Sequence, residues 1–432
     1  MSREMKHSGI EWIGEIPKDW EVGQVKQCFA RKNEKAQLVN PIVLSLARSG
    51  VKVRDISTNE GQMAESYFNY NPVEPDDLLI NPMDLYSGAN CSISNVKGVI
   101  SPAYINLRYL GNNNPRYYDY YFKTQYWSMA LFAHGKGVSF DNRWTLNAET
   151  LLRYIIPIPP TSEQQKIADY LDKVCGEVDE LVTLQEQMIE ELKAYKQSVI
   201  TEAVTKGLNP NAPMRDSGID WIGEIPEHWG IQRLKTLGWA QNGISQSGEY
   251  FGEEYSYPFV NYSDAYKNYS IPYPEGRANS SEEDRKRYSL IEGDVLFTRT
   301  SETIEEIGFA STCMETIPNA VFSGFLIRFR PTSDKLFKGF SKYYFRSLIH
   351  RAYFVKQMNI VTRASLGQDL LKNLLVLLPP LSEQRAIASN LDTKCSEIDS
   401  LIAIKQAKIE ELKEYKKSVI YEYVTGKKEV GG

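Results

Sequence analysis

Two loops of this 432-residue chain carry the side chains whose types and spacing are best suited to chemistry. The first loop holds Lys136, Asn142 and Arg143 among small residues, and the second holds Arg363 and Gln368. Arginine hydrogen-bonds the major-groove edge of guanine, and asparagine or glutamine bonds that of adenine. The two loops therefore predict contacts to DNA bases, with ordinary surface turns as the alternative. Further basic candidates for DNA contact are Arg48, Arg299, Arg346 and Arg351.

The sequence lacks the residue patterns that a catalytic site would need. It contains no glycine-rich phosphate loop ending in Gly-Lys-Ser/Thr, and no Gly-x-Gly-x-x-Gly follows a predicted strand. The run Asn81-Pro82-Met83-Asp84 lacks the second proline and the aromatic residue of the amino-methyltransferase loop. The four histidines and five cysteines have no metal-binding or triad spacing, and the cysteines are interpreted as packing residues. We therefore expect a non-catalytic chain that binds no cofactor or metal.

The net charge of −5 is distributed unevenly along the chain. Residues 160–207 contain 10 acidic and 5 basic residues, which accounts for the whole excess. Residues 328–372 contain 10 basic residues and two acidic ones, and residues 97–153 contain 7 basic and three acidic ones. A phosphate backbone attracts locally basic surface, so both stretches favour DNA binding over ordinary solvated charge.

The chain repeats its own beginning. The run Ser8-Gly-Ile-Glu-Trp-Ile-Gly-Glu-Ile-Pro17 returns, with one change, from Ser217 to Pro226. A second repeat relates Ile189–Ile200 to Ile409–Ile420, which lies 220 positions later. Two half-molecules that agree at their ends and differ in their middles predict a pseudo-twofold frame with two unlike surfaces.

The two middles predict α+β domains, because short β-rich runs alternate with turns and helices. Both contain Asp-(Leu/Val)-Leu-(Ile/Phe), at Asp77 and Asp294, and both later contain Tyr-Tyr-Phe, at Tyr120 and Tyr343. The folds of the two middles should therefore match even where their sequences do not.

Each half ends in a pair of prolines followed by a long periodic segment, after Pro160 and Pro380. Ser162 and Gln165 predict a capping box at the start of the first helix. Apolar residues then recur at steps of four and three, which indicates a heptad seam on each helix. We expect the helices to pair antiparallel within the chain and to dock other subunits; pairing of each helix with another subunit is the alternative. The residues assigned to pairing and docking are Leu171, Val178, Leu181, Gln185, Leu192, Tyr195, Leu391, Ile398, Leu401, Lys405, Leu412 and Tyr415.

These boundaries divide the chain into four expected segments. They are a first domain at 1–158, a first long helix at 159–207, a second domain at 208–378, and a second long helix with a tail at 379–432. No apolar run reaches the roughly 18 to 20 residues of a membrane span. The N-terminus has no apolar core of a signal peptide, so we expect a cytoplasmic protein without membrane contact.

Three motifs together resemble the specificity subunit of type I restriction-modification systems. They are the repeated Trp-Ile-Gly-Glu-Ile-Pro, the Pro-Pro-x-Ser-Glu-Gln helix start at Pro159 and Pro379, and the Lys-x-Ser-Val-Ile helix end at Lys196 and Lys416. The resemblance covers essentially the whole chain. It implies two target-recognition domains, each reading one half of a bipartite, asymmetric double-stranded DNA target, separated by two long antiparallel coiled-coil helices that fix the gap.

The resemblance also implies a non-catalytic subunit with catalytic partners. Methylation subunits, expected to be two, would hold S-adenosylmethionine, and restriction or motor subunits would use ATP and Mg. Two alternatives stay open at this point: the specificity component of a methylation-only defence system, and a coiled-coil assembly scaffold that never touches DNA. The basic stretches argue against the scaffold.

Overall fold

The computed structural model divides the chain into two compact units. The first unit comprises Met1–Glu186 and Ala407–Gly432, and the second comprises Gln187–Gln406. The structure describes residues 3–47, 49–56, 64, 66–83, 85, 90–137, 144–244, 257–301, 307–350, 353–354 and 364–431. Each unit therefore consists of its own domain and parts of both long helices. The four segments expected from the sequence instead kept each long helix whole.

The first unit contains short strands, short helices and parts of both long helices. Its strands are β1 (Met5–His7), β2 (Glu15–Pro17), β3 (Glu21–Gln24), β4 (Phe29–Lys32), β5 (Leu44–Ala47), β6 (Gly50–Val53), β7 (Asn71–Val73), β8 (Leu78–Ile80), β9 (Cys91–Ile93), β10 (Gly98–Ile100), β11 (Ile105–Tyr109) and β12 (Ile155–Ile158). Its helices are α1 (Val25–Cys28), α2 (Pro115–Trp127), α3 (Ala148–Leu152) and the beginning of α4 (Thr161–Lys206).

The second unit has the same kinds of element. Its strands are β13 (Met214–Asp216), β14 (Glu224–Pro226), β15 (Gly230–Arg233), β16 (Gly238–Asn242), β17 (Tyr257–Val260), β18 (Arg277–Ala278), β19 (Val295–Thr298), β20 (Thr300–Ser301), β21 (Ala310–Thr312), β22 (Val321–Phe322), β23 (Leu326–Pro331), β24 (Ala364–Ser365) and β25 (Leu375–Leu378). Its helices are α5 (Tyr262–Lys267), α6 (Glu282–Arg287), α7 (Lys338–Tyr344), α8 (Gln368–Lys372) and the beginning of α9 (Leu381–Val424).

Both units are built on the same sheet plan, as the shared motifs predict. A four-stranded antiparallel sheet has the order β4-β11-β8-β9 in the first unit and β16-β23-β19-β21 in the second. The strand that follows each opening motif pairs with the strand before the prolines, as β3 with β12 and β15 with β25. The predicted mixed helix and strand fold is therefore confirmed, with matching frames for unlike sequences.

Each copy of the repeated opening motif forms a hairpin whose turn contains a glycine in the left-handed conformation. Gly14 and Gly223 have φ values of +72° and +74°, where a side chain would be strained. Ser8 N donates to Gly14 O at 2.8 Å, and Ser217 N donates to Gly223 O at 3.0 Å. This turn buries the isoleucine that follows it, which explains why the motif recurs almost unchanged.

The Ser-Glu-Gln helix start connects each long helix to its own domain. The buried indole of Trp20 donates to Glu163 Oε2 at 2.8 Å, and that of Trp229 donates to Glu383 Oε2 at 3.0 Å. The neighbouring glutamine, Gln164, accepts from Asn114 N at 2.8 Å, and Asn114 caps α2. Helix start, opening motif and domain are thereby joined by hydrogen bonds.

The predicted capping box at Ser162 does not form. Helix α4 begins at Thr161, so Ser162 lies inside the helix, and the amides of Glu163 and Gln164 donate to Pro160 O. The Gln165 side chain instead accepts from Asn114 Nδ2 at 2.7 Å and donates to Asp169. Packing of the helix start against the domain competes with the local cap and replaces it.

Helices α4 and α9 are 46 and 44 residues long, so each extends over about 65 to 70 Å. In the first unit their contacts include the Tyr170 and Tyr423 rings, with centroids 4.5 Å apart, and the ion pair between Asp179 and Lys416 at 2.7 Å. In the second unit Lys196 binds Asp399 at 2.7 Å, and Lys405 Nζ lies 3.4 Å from Met188 Sδ. Within each unit the contacts run antiparallel, which confirms the predicted pairing of the helices in one chain.

The predicted seam is half right. Leu171, Val178, Leu391 and Ile398 are buried, and Gln185, Leu192, Lys405 and Leu412 are half-buried. Leu181, Tyr195, Leu401 and Tyr415 are instead 46%, 56%, 47% and 53% exposed. In each case the residue that follows in the sequence is half-buried instead. These residues are Val182, Lys196, Ile402 and Lys416. Apolar steps of three then four and of four then three give two possible seams that share every seventh residue. The sequence pattern led to the first of these seams, whereas the helices pair along the second.

Candidate DNA interface

The buried aspartate of each shared strand motif fixes one end of the sheet. Asp77 Oδ2 accepts from Glu74 N at 2.8 Å, and its carboxylate binds Lys32 and Arg108. Asp294 Oδ2 accepts from Ile291 N at 2.8 Å, and Arg330 binds both carboxylate oxygens. A buried carboxylate needs such partners, so these cations are structural.

The two loops predicted to contact DNA are attached to the opposite end of each sheet. Leu146, which follows the first loop, donates its amide to Pro82 O at 2.8 Å, just beyond β8. Leu366, in the second loop, donates its amide to Arg299 O at 2.7 Å, just beyond β19. We call this the loop-bearing end of each sheet. Sequence loops chosen only by composition thus occupy equivalent places in the two units.

In the first unit, Lys136 lies on the strand-like part of its loop. Its amide and carbonyl exchange hydrogen bonds with Thr145 at 2.8 and 3.0 Å, and its side chain is exposed. Asn142 and Arg143, predicted for the same loop, lie outside the described residues, as do Arg48, Arg351 and Arg363. DNA contact by Lys136 stays a prediction, and its exposure is compatible with it.

In the second unit, the loop-bearing end brings together two side-chain amides and an arginine. Gln368 Nε2 donates to Asn242 Oδ1 at 3.0 Å, which places two amides at the end of β16. Arg299 is half-buried next to Phe325, whose carbonyl accepts its amide at 2.9 Å. The predicted residues Arg299 and Gln368 are therefore brought to the same end of one sheet.

Arg346 has a different environment from the one predicted. Its guanidinium donates to the carbonyls of Ala265 and Tyr266, and it lies 4.5 Å from the Phe309 ring centroid. Burial lowers the pKa of this guanidinium. These contacts favour a structural role, because a guanidinium occupied by backbone carbonyls has few donors left for DNA.

The basic stretch 328–372 is also more structural than its charge indicated. Each of its described cations has a partner within the unit: Arg328, Arg330, Lys335, Lys338, Lys342, Arg346 and Lys372. Arg328 is fully buried between the Trp239 and Phe322 rings, and burial lowers the pKa of its guanidinium to about 10. The stretch therefore offers less positive surface than the count of charges implied.

Tyrosines of the shared Tyr-Tyr-Phe motif connect each domain to its helix. Tyr120 donates to Asp172 at 2.8 Å, and Tyr343 donates to Asp392 at 2.8 Å. Burial raises the pKa of both hydroxyls, so each remains a protonated donor. Sequence reasoning missed these aspartates, although their identical spacing from the helix starts in the two halves was visible.

The described part of the chain shows no arrangement that would hold a metal ion through three or more His, Cys, Asp or Glu side chains. All five cysteines are buried, which confirms their interpretation as packing residues. Among the described helices, none combines the length and apolar character needed to cross a lipid bilayer.

The chain contains an α+β unit built twice on one plan, with unlike residues at the matching loop-bearing ends. The family model for the type I restriction modification DNA specificity domain matches residues 76–194 and 226–414, so the chain belongs to this family. That membership confirms the predicted family and the prediction of a DNA-specificity protein rather than an enzyme.

Similar proteins cover nearly the whole chain. The type I restriction enzyme MjaVIII specificity subunit of Methanocaldococcus jannaschii is 24% identical over 441 residues, covering 95% of this chain and 93% of the relative. A solved chain from a type I restriction-modification system has a TM-score of 0.69 at 16% identity, covering 95% and 98%. The crystal structure of the HsdS subunit from Thermoanaerobacter tengcongensis has a TM-score of 0.51 at 16% identity, with the same coverage. At this identity the two structures support the fold alone.

Proposed function

We propose that this chain is the sequence-recognition subunit of a type I restriction-modification complex, and that each domain binds one half of a bipartite, asymmetric DNA target. The observation that carries the proposal is a common sheet plan with different side chains at its loop-bearing end. Where the second unit has Arg299 and Phe325, the strand register puts Pro82 and Ala103 in the first unit. Equivalent frames with unlike reading surfaces suit two different half-sites.

The long helices are proposed to fix the gap between half-sites and to dock methylation subunits, two in number. The exposed apolar residues of α4 and α9 support docking, because single helices seldom leave so many large apolar side chains in water. They are Leu181, Leu184, Tyr195, Leu401, Ile404 and Tyr415. Leu181, Tyr195, Leu401 and Tyr415 were predicted to lie between the two helices. Their exposure suits the other role that was predicted for these residues, which is subunit docking.

The chemistry is proposed to reside in the partners. Methylation subunits would supply the S-adenosylmethionine site, and restriction or motor subunits would supply ATP- and Mg-dependent cutting, with no cofactor bound by this chain. We expect the complex to act in the cytoplasm, where its DNA target would be found. A methylation-only system would use this chain in the same way, because cutting belongs to other subunits.

The test is base-resolved mapping of methylated DNA in the host, with and without this chain. We expect a split, asymmetric motif that disappears when the chain is deleted and returns when it is supplied again. Methylation that survives deletion would contradict the proposal.

A scaffold that never touches DNA is the second candidate, and the partnered cations of 328–372 favour it. The discriminating measurement is binding of the assembled complex to duplex DNA at increasing salt. Sequence-specific binding that weakens with salt supports DNA recognition, whereas assembly without DNA binding supports the scaffold.

A further inference from the structure

An exposed aromatic ring marks the loop-bearing end of the second unit. Phe325 is 59% exposed, although it directly precedes the buried strand β23. Its backbone is held on both sides: Arg299 N donates to Phe325 O at 2.9 Å, and Phe325 N donates to Ser323 Oγ at 3.3 Å. A large apolar side chain on such a fixed backbone is presented to solvent with little freedom to fold back.

The backbone around Phe325 is packed closely. A Cβ atom on Gly243 would lie 2.2 Å from Ser323 O and 2.3 Å from Phe322 O, so only glycine lets β16 approach the turn before Phe325. Gly324 N then donates to Ile244 O at 2.8 Å. The exposed ring therefore stands on a rigid turn rather than on a loose loop.

Arg299 lies next to Phe325 at the end of the strand pair. Thr298 and Leu326 form the last pair of β19 and β23, and beyond it the amide of Arg299 donates to the carbonyl of Phe325 at 2.9 Å. The two residues are therefore neighbours at the loop-bearing end. Among the residues that the structure describes, none receives a hydrogen bond or ion pair from the Arg299 side chain. The cation is thus left for a ligand at the sheet end that carries the ring.

We infer that Phe325 and Arg299 form a DNA-contacting pair specific to the second half-site, with the ring against a base and the guanidinium on the adjacent phosphate. The inference rests on the proposed function and names residues that carry it. Apolar side chains contact base edges and steps, and arginine binds phosphate, so the pair matches both parts of a nucleotide. The amides of Asn242 and Gln368 at the same sheet end supply hydrogen bonds for a neighbouring base.

The first unit lacks this pair. The register of β8 and β11 aligns Ile80 with Ile105, as that of β19 and β23 aligns Phe297 with Ile327. Counted two residues beyond these pairs, Pro82 and Ala103 take the positions of Arg299 and Phe325. A small residue and a proline can provide neither the ring nor the cation, so the contact belongs to one half-site only. This asymmetry gives the inference a specific signature.

The test uses the full chain assembled with its methylation subunits and duplexes that carry the motif mapped in the host. Phe325→Ala is compared with Ile291→Ala, which removes an exposed apolar side chain before β19, at the opposite end of the same sheet. We expect Phe325→Ala to raise Kd roughly tenfold and Ile291→Ala to leave it unchanged. On a duplex whose second half-site is scrambled, wild type and Phe325→Ala should bind alike. Arg299→Gln should reduce the salt slope of log K by about one.

Each other outcome overturns the inference in a distinguishable way. Wild-type affinity of Phe325→Ala for the intact motif refutes the contact while leaving the proposed function intact. Failure of that variant to co-purify with methylation subunits assigns the ring to a protein interface. If wild type shows no preference for the mapped motif, the proposed function fails first and the inference with it. If Phe325→Ala lowers the unfolding midpoint, the DNA affinity of Phe325→Leu is measured instead. We expect a smaller loss of affinity for this variant, and no loss would refute the contact.

Discussion

Adding one heptad to both long helices is expected to widen the gap between the two DNA half-sites by about three base pairs. Seven helical residues add about 10.5 Å, and base pairs in DNA are spaced by about 3.4 Å. Suitable positions are between Glu186 and Gln187 in α4 and between Gln406 and Ala407 in α9, where the two compact units divide. Each half-site should stay the same, because neither loop-bearing end is changed.

Both helices must be lengthened together. The pairs Asp179–Lys416 and Lys196–Asp399 report the antiparallel register of the helices in the first and second unit respectively. A heptad added to α4 alone leaves α9 too short to keep both pairs, so this single insertion is the matched control. We expect the control to lose methylation at every site.

Helical twist sets the expected efficiency. Three base pairs rotate DNA by about 100°, whereas one heptad turns the straight α-helix by only about 20° relative to a heptad seam. The DNA or the protein must absorb the difference, so methylation of the wider target should be weaker than that of the natural one. The assay is base-resolved methylation mapping in a host that lacks the natural chain. An unchanged gap, or a change in either half-site, would refute the reasoning.

Three further predictions concern stability and reactivity. Glu163→Gln removes the charged acceptor of a buried indole and should destabilise the chain by about 1 to 3 kcal/mol, measured by chemical unfolding; no loss would mean that the helix start is held by packing alone. Asp179→Lys should cost about 0.2 to 1 kcal/mol, because the ion pair is partly exposed, and adding Lys416→Asp should restore the loss; additive losses in the double variant would refute the pairing. Burial raises the pKa of the Cys313 thiol to about 12, so this thiol should react with a disulfide reagent at pH 8 only after unfolding; rapid reaction of Cys313 in the native chain would contradict its burial.

The sequence predicted the frame well because its signals are local or repeated. Proline pairs and the Ser-Glu-Gln start placed the long helices within two residues at each beginning. The shared motifs at Asp77 and Asp294 predicted matching folds, and they lie at equivalent ends of matching sheets. When a residue and its neighbours recur in both halves, the two copies are expected to have the same local structure.

The sequence predicted side-chain roles less well, because these depend on distant partners. Arg346 is basic in sequence but donates to carbonyls 80 and 81 positions away. Lys416 was quoted as part of a repeat, yet its partner Asp179 lies on the other helix, 237 positions away. Phe325 carried no signal of such a role, since a phenylalanine in a β-rich run such as Phe325–Phe329 is predicted to be core.

Exchange of residues 208–378 for those of a relative with a different second half-site tests the central claim most directly. The account predicts that methylation mapping will then show the natural first half-site joined, at the natural gap, to the relative's second half-site. A target that is unchanged, or one in which the first half-site changes as well, would contradict the assignment of one half-site to each domain.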